Sequence, residues 1–332
     1  KRAVFMHSRL GGWVRLLGLA GLAFASAALG QGAKNYPEKP VRVVVGYSPG
    51  GLPDTIARLI GQKLSERWGQ QFVVENKPGA NGILGAEYVA KAAADGYTLL
   101  MTDNSTHAIN PFLYAKLPYD ADRDLIPVSL AARAPLFLAV HSSVKANSFQ
   151  ELIALVKASP GKYSYGSSGI GSTHHLCMEY LKSSLNLQIT HVPYKGTGQS
   201  VPALVGGQVP MVFSGYPTLA SHAKEGRAKL LAINSLKRSE LAPDVPAIAE
   251  TIPGFDFAPT FGLFAPNGTP RDIVVKIGAD VAQVVKLPDV VERMKSLGID
   301  PLGFSGDEWA RLLKSDAERY ARAVKISGAK VD

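Results

Sequence analysis

A single cysteine, Cys177, stands in 332 residues, so no disulfide can close within the chain. An exported chain without disulfides points to a bacterial periplasm more than to a eukaryotic secretory route. Cys177 falls among Leu176 and Leu181 at helical spacing and reads as a small buried hydrophobe. Blocks of Lys or Arg are missing, as are basic stretches interleaved with aromatics. The net charge of +9 therefore does not indicate a nucleic-acid partner. No His-x-x-x-His, Gly-x-Gly-x-x-Gly or Gly-x-x-x-x-Gly-Lys-Ser/Thr pattern occurs, which argues against zinc, dinucleotide and P-loop chemistry, and around Ser168 the Gly-x-Ser-x-Gly spacing of a hydrolase is broken by Ile170.

What is there begins with a targeting pattern. Lys1, Arg2, Arg9 and Arg15 precede an apolar run, Leu16 to Leu29, that is too short to span a bilayer. Ala25-Ser26-Ala27 supplies small residues for cleavage. Residues 1–30 are therefore expected to be a signal peptide, cut somewhere within 27–33. Its removal lowers the net charge to +5. About 300 residues then remain, enough for two cores.

Strand and helix patterns alternate through the rest. Val41 to Val45 reads as a buried strand, and Thr55 to Trp68 carries Ile56, Leu59, Ile60 and Leu64 at helical spacing. Further strands are expected at 72–75, 97–102, 163–165, 188–192, 211–214, 230–233 and 262–265. Helices are expected over 83–94 and 173–185, the Asn76–Gly82 stretch forming a turn before the first of them. Ser148 and Glu151 form a capping box, and Pro270 opens a late helix. The expected fold is α/β: two lobes of the Venus-flytrap type, each a mostly parallel sheet flanked by helices. With no Ser/Gly linker, the lobes are expected to be 36–138 plus 262–332 and 139–261, with hinge strands near 136–142 and 256–262.

Two glycine-serine loops leave strands and open helices. The first runs Gly46-Tyr47-Ser48-Pro49-Gly50-Gly51-Leu52-Pro53-Asp54; the second runs Gly166-Ser167-Ser168-Gly169-Ile170-Gly171-Ser172. Backbone N–H groups and the helix dipole make such loops anion cradles. Ligands bind at the carboxyl ends of parallel strands, so the first loop and Asp103–His107 should converge. Asp54 reads first as the N-cap of its helix; as a ligand contact it suits an amine, a hydroxyl or a water. Ser168 and Ser172 near His174, with Asp54 as a third member, lack the nucleophile elbow, and helix-start serines are caps. His174 and His175 lie about 100° apart on a helix and do not make a metal pair. Two loops closing on a carboxylate from opposite sides need no general acid or base, no metal and no cofactor.

These residues carry a resemblance. Tyr47-Ser48-Pro49-Gly50-Gly51 with Asp54-Thr55-Ile56-Ala57-Arg58 resembles the first ligand loop of the tripartite tricarboxylate transporter receptors, the TctC or Bug family. Asn76-Lys77-Pro78-Gly79-Ala80-Asn81-Gly82 and Thr106-His107-Ala108-Ile109-Asn110-Pro111 resemble further signatures. So do Tyr165 to Ser172, Val192-Pro193-Tyr194-Lys195-Gly196 and Phe264-Ala265-Pro266-Asn267-Gly268-Thr269-Pro270. The match spans 36–328 with the motifs in order. It implies a monomeric periplasmic receptor, not an enzyme, that closes on a small organic carboxylate and hands it to an ion-driven membrane permease. The ligand residues implied are Tyr47, Ser48, Gly50, Gly51, Asp54, Thr106, His107, Ser167, Ser168, Gly171, Ser172, Tyr194, Gly196, Thr197, Ser214 and Gly215. A sensory receptor signalling to a membrane partner and an exported enzyme are the alternative readings.

Three departures from the family pattern stand out. Leu52-Pro53 replaces a small residue and a hydroxyl, and proline has no N–H to give. Phe213-Ser214-Gly215 stands where an aspartate is common, which weakens the case for an ammonium-bearing ligand. Thr260 replaces a common Trp, which implies a roomier distal pocket.

Overall fold

The computed structural model describes residues 35–331; the expected signal peptide and its cleavage site lie outside them. The first unit is β1 (Val41–Val45), α1 (Leu52–Trp68) and β2 (Phe72–Asn76), followed by a 3-10 turn at Ala80–Gly82 and α2 (Ile83–Ala90). Next come β3 (Thr98–Asp103) and three short helices, α3 (Ser105–Ala108), α4 (Asn110–Leu113) and α5 (Ala121–Asp124). β4 (Leu125–Arg133) leads directly into β5 (Leu136–His141) of a second sheet. That sheet is built with α6 (Phe149–Lys157), β6 (Tyr163–Ser167), α7 (Thr173–Leu185), β7 (Ile189–Pro193), α8 (Thr197–Val205), β8 (Met211–Gly215), α9 (Tyr216–Lys224) and β9 (Ala228–Ile233). The chain then returns through β10 (Thr260–Pro266), α10 (Arg271–Val284), α11 (Pro288–Ser296), β11 (Asp300–Ser305) and α12 (Gly306–Ser327).

The first sheet has the order β11-β4-β10-β3-β1-β2 and the second β7-β6-β8-β5-β9. Both are mixed rather than mostly parallel. β1 pairs β2 and β3 in parallel, and β6 pairs β7 and β8 in parallel; every pairing to β4, β5 and β10 is antiparallel. The parallel pairs are those joined by helical crossovers, as right-handed connections require. The antiparallel strands are the ones that carry the chain between sheets.

Apolar strands buried on both faces hold each sheet between helices. Val41, Val43 and Val45 face Ile56, Ile60 and Leu64 of α1, while Val44 faces Ile83 and Val89 on the other side. Each such buried aliphatic contributes about 1.5–3 kcal/mol. Trp309 of α12 is fully buried, its ring 4.2 Å from that of Phe264. It fits because Gly262 lies beneath it: a Cβ there would stand 2.2 Å from the Ser129 carbonyl oxygen and 2.6 Å from the indole.

The core of the second sheet reaches further than the sequence pattern implied. Ala108, Ile109 and Leu113 of α3–α4, with Tyr320, Ala323 and Val324 of α12, pack with Leu136, Leu176 and Phe213. The C-terminal helix therefore spans both sheets. The two chain crossings lie side by side: Ala134 N–H donates to Pro259 O at 3.0 Å, and Arg133 pairs with Asp256. Asn234, fully buried, joins them. Its Oδ1 accepts from Leu136 N–H at 2.7 Å and its Nδ2 donates to Phe257 O at 2.9 Å.

Candidate functional site

The first loop is organised from within. α1 starts at Leu52, earlier than its apolar periodicity alone indicated, because Pro53 at the second helical position already has helical φ. Gly51 is the N-cap, so Asp54 is not, contrary to the sequence expectation. The Asp54 carboxylate turns back instead. It accepts from Gly50 N–H at 2.9 Å, from Asn76 Nδ2 at 2.9 Å and from the Arg58 guanidinium at 2.9–3.0 Å. Burial pushes its pKa up, but Arg58, Gly50 and Asn76 outweigh that and hold it below 3.8. Gly51 N–H bonds Ser48 O at 3.3 Å. The donors of Gly50 and Gly51, expected to be bare, are thus engaged inside the loop. Helix geometry leaves Leu52 and Asp54 as the first-turn donors, since Pro53 has none. Ser48 lies exposed at the tip.

The loop after β3 converges on it, as expected. Tyr47 OH donates to Asp103 Oδ1 at 2.9 Å, and Ser105 N–H donates to the same oxygen at 3.0 Å. Burial raises the Asp103 carboxyl, and burial together with Asp103 lifts the Tyr47 phenol well above its ordinary value. Thr106 is buried with its hydroxyl 3.1 Å from that of Thr102. His107 does not join this group. Its ring stacks on Phe264 at 4.3 Å, in the core beneath α2 and α12, and burial lowers its pKa to about 4. Thr106 and His107 are neighbours on a helical turn, about 100° apart around its axis.

Beside Tyr47 lies a strained turn. Gly79, Ala80, Asn81 and Gly82 all have positive φ, 45° at Ala80 and 52° at Asn81. Asn81 Nδ2 donates to Asn110 Oδ1 at 2.8 Å, and Asn110 Nδ2 returns to Asn81 O at 3.1 Å. This reciprocal amide pair holds the turn against the loop after β3. Left-handed alanine costs roughly 1–2 kcal/mol, strain of the kind stored at functional sites.

The second sheet presents three loops at the carboxyl ends of β6, β7 and β8. Tyr194 N–H bonds Ser167 O at 3.1 Å and Gly196 N–H bonds Ser168 O at 3.2 Å, lacing the first two together. Ser167 is buried, its hydroxyl 2.7 Å from His191 Nε2. Ser168 Oγ lies 2.7 Å from His174 Nδ1. Ser172 caps α7, accepting from His175 N–H at 3.2 Å. Ser214 Oγ lies 2.8 Å from Thr218 Oγ1, which also donates to Gly215 O. With the Asp54 oxygens all occupied, no Ser-His-Asp relay is assembled around Ser168. Among the described residues no group of three His, Cys, Asp or Glu side chains could hold a metal ion.

Four of these loops share a feature. α1, α2, α8 and α9 begin from glycine N-caps (Gly51, Gly82, Gly196, Gly215), and none has a side-chain cap. By contrast α5, α6, α7 and α12 are capped by Asp120, Ser148, Ser172 and Ser305. Uncapped N-termini keep backbone donors and partial positive charge available to an anion. Leu113 links the two sets. It follows directly from the Thr106 turn, and its Cδ2 would lie 2.1 Å from a Cβ at Gly171. Thr197 opens α8 behind Gly196. Asn81, Asn110 and His191 were given no role by the sequence, Asp103 was placed only as the start of its loop, and His175 was weighed only as a metal ligand. Asn81 and Asn110 sit in two of the sequence motifs, but their pairing across 29 positions leaves no local signal.

Known proteins resemble this chain over most of its length. The family described as "Tripartite tricarboxylate transporter family receptor" matches residues 56–328. Protein BugT of Bordetella pertussis is 35% identical over 321 residues, covering 96% of this chain and 98% of that protein. Among solved structures, R. palustris Rpa4515 with adipate is 34% identical with a TM-score of 0.80, over 89% of this chain and 100% of that one. MatC from Rhodopseudomonas palustris with bound malate is 33% identical with a TM-score of 0.75, over 87% and 100%.

Proposed function

Because the chain belongs to the tripartite tricarboxylate transporter receptor family, whose members are solute-binding proteins and not enzymes, we propose that it captures a small organic carboxylate between its two sheets. The observation that carries this is the set of four glycine N-caps at the carboxyl ends of the strands. Backbone donors would replace the water shell of a carboxylate without a titrating partner. Neighbours solved with adipate and with malate support that ligand class. Ser48, Leu52 and Asp54 N–H would meet one carboxylate from the first sheet; Ser168, Gly196, Thr197 and Gly215 would approach from the second. The side chains of Asp54, Asn76 and Arg58 would shape the first loop, leaving the Asp54 N–H to meet the solute.

The lobes would be 36–134 with 260–332, and 135–259, moving about the crossings near residues 134–135 and 257–259. These bounds lie a few residues before the expected ones because β5 belongs wholly to the second sheet and β10 wholly to the first. We place the receptor in the periplasm, delivering solute to an ion-gradient-driven permease. The test is calorimetry on cleaved protein with malate, adipate and aromatic carboxylates. Micromolar binding by any of them, with a matching rise in melting temperature, is expected. The absence of both across the whole panel would overturn the assignment.

A further inference from the structure

Beneath the second loop lies a column of buried and half-buried side chains that the binding scheme does not use. The His175 and His191 rings stack at 4.0 Å with planes 14° apart, and His191 stacks on Tyr165 at 4.8 Å. His175 is 4% exposed and Tyr165 fully buried. Each imidazole holds one end of the loop. Gly171 N–H donates to His175 Nδ1 at 3.0 Å, and Ser167 Oγ lies 2.7 Å from His191 Nε2. Below them Tyr165 OH donates to Glu179 Oε1 at 2.6 Å, and Lys182 Nζ donates to the same oxygen at 2.6 Å.

We propose that His175 and His191 are positioning residues for ligand: together they hold Ser167–Ser172 in the shape that presents its backbone donors to the carboxylate. The role rests on the binding reading above. The chemistry is specific. His175 must be neutral, with its proton on Nε2, because a protonated Nδ1 cannot accept from Gly171. Two stacked imidazolium rings would also repel. The charges facing the pair are Glu179 and Lys182 of α7, which neutralise each other; Tyr165 of β6 contributes a neutral phenol. Burial accordingly lowers both histidines, His191 to about 4.

The test uses four variants of the full protein. His175→Phe and His191→Phe keep the aromatic stack and remove the ring nitrogens. His175→Asn places an amide oxygen near the Nδ1 position, and His191→Gln places an amide nitrogen near Nε2. The Phe variants should bind the carboxylate that the wild type binds about tenfold more weakly, as expected for one lost hydrogen bond. The Asn and Gln variants should recover most of that affinity. Between pH 6 and pH 4 the wild-type affinity should fall more steeply than that of the non-titrating Asn/Gln double variant, ligand ionisation being common to both. Hydrogen exchange at 167–172 should quicken in the Phe variants with no ligand present, while β6 and α7 stay protected. Wild-type affinity in the Phe variants, or Asn and Gln behaving like Phe, would overturn the proposal. If the wild type binds no carboxylate the functional reading fails by itself, and the exchange measurement still decides the positioning role.

Discussion

Replacing Gly171 with alanine sets two independent penalties against a single methyl group. The backbone there has φ +75°, a region in which an L side chain crowds its own carbonyl, at a cost of about 1–2 kcal/mol. The added Cβ would also stand 2.1 Å from Leu113 Cδ2 and 3.0 Å from its Cγ. Leu113 is 3% exposed within the core shared by α3–α4, α7 and α12, so it cannot swing clear, and overpacking of this kind costs roughly 1–3 kcal/mol. Together they give a loss of about 2–5 kcal/mol. For a chain of this size that is a melting-temperature drop of roughly 5–15 °C. The assay is a double-mutant cycle by denaturant unfolding. Leu113→Ala alone should cost about 2–5 kcal/mol through the cavity it leaves. The double variant should lose at least about 1 kcal/mol less than the sum, because the clash disappears with the leucine. Additive losses, or a Gly171→Ala variant within about 0.5 kcal/mol of wild type, would refute the contact between the loop sets.

Asp54→Asn should destabilise by roughly 1–3 kcal/mol near neutral pH, since a buried acceptor of three groups loses its charge. Its folded pKa lies below its ordinary 3.8, so its contribution is present above that value and lost as pH falls further; a flatter acid limb in the variant checks this. Gly262→Ala should leave little folded protein, because its Cβ would strike the Ser129 carbonyl, a backbone atom paired within the sheet; circular dichroism after expression suffices. Ala80→Gly should raise stability by up to about 1 kcal/mol by relieving positive φ, read as a shift in denaturant midpoint. Wild-type stability or less would show that the turn is not strained.

Legibility followed the range of the interactions. The helix from Thr173 to Leu185 and its Ser172 cap emerge intact, because periodicity and capping are local. At Ser148 the expected box is only half made: Glu151 reaches Asn147 N–H at 2.7 Å instead of Ser148. The start of α1 was missed because proline, not the apolar stripe, decides it. β4 and β11 were beyond reach for a different reason, and β10, expected as a strand over 262–265, was legible without its partners. Their antiparallel pairing joins residues more than a hundred positions apart, such as Gly262 with Leu130. The same distance hid the seating of α12 across both cores. At the candidate site, loop glycines and serines announce an anion cradle. The sequence does not show which donors are already used, and Asp54 turning back on Gly50 changes that. His107 illustrates the converse: it sits in a ligand motif, yet its ring is buried and stacked on Phe264.

Asn234 has a mechanical meaning. Two strands passing between two bodies ordinarily bend separately, and the bodies can then twist as well as close. Here one amide grips both strands at the same height, through Leu136 and Phe257. In the closure proposed above, the crossings would act as a single axle, and the movement would narrow toward one rotation. A jaw on one axle would meet its object at the same angle each time, which would suit the proposed hold by backbone geometry.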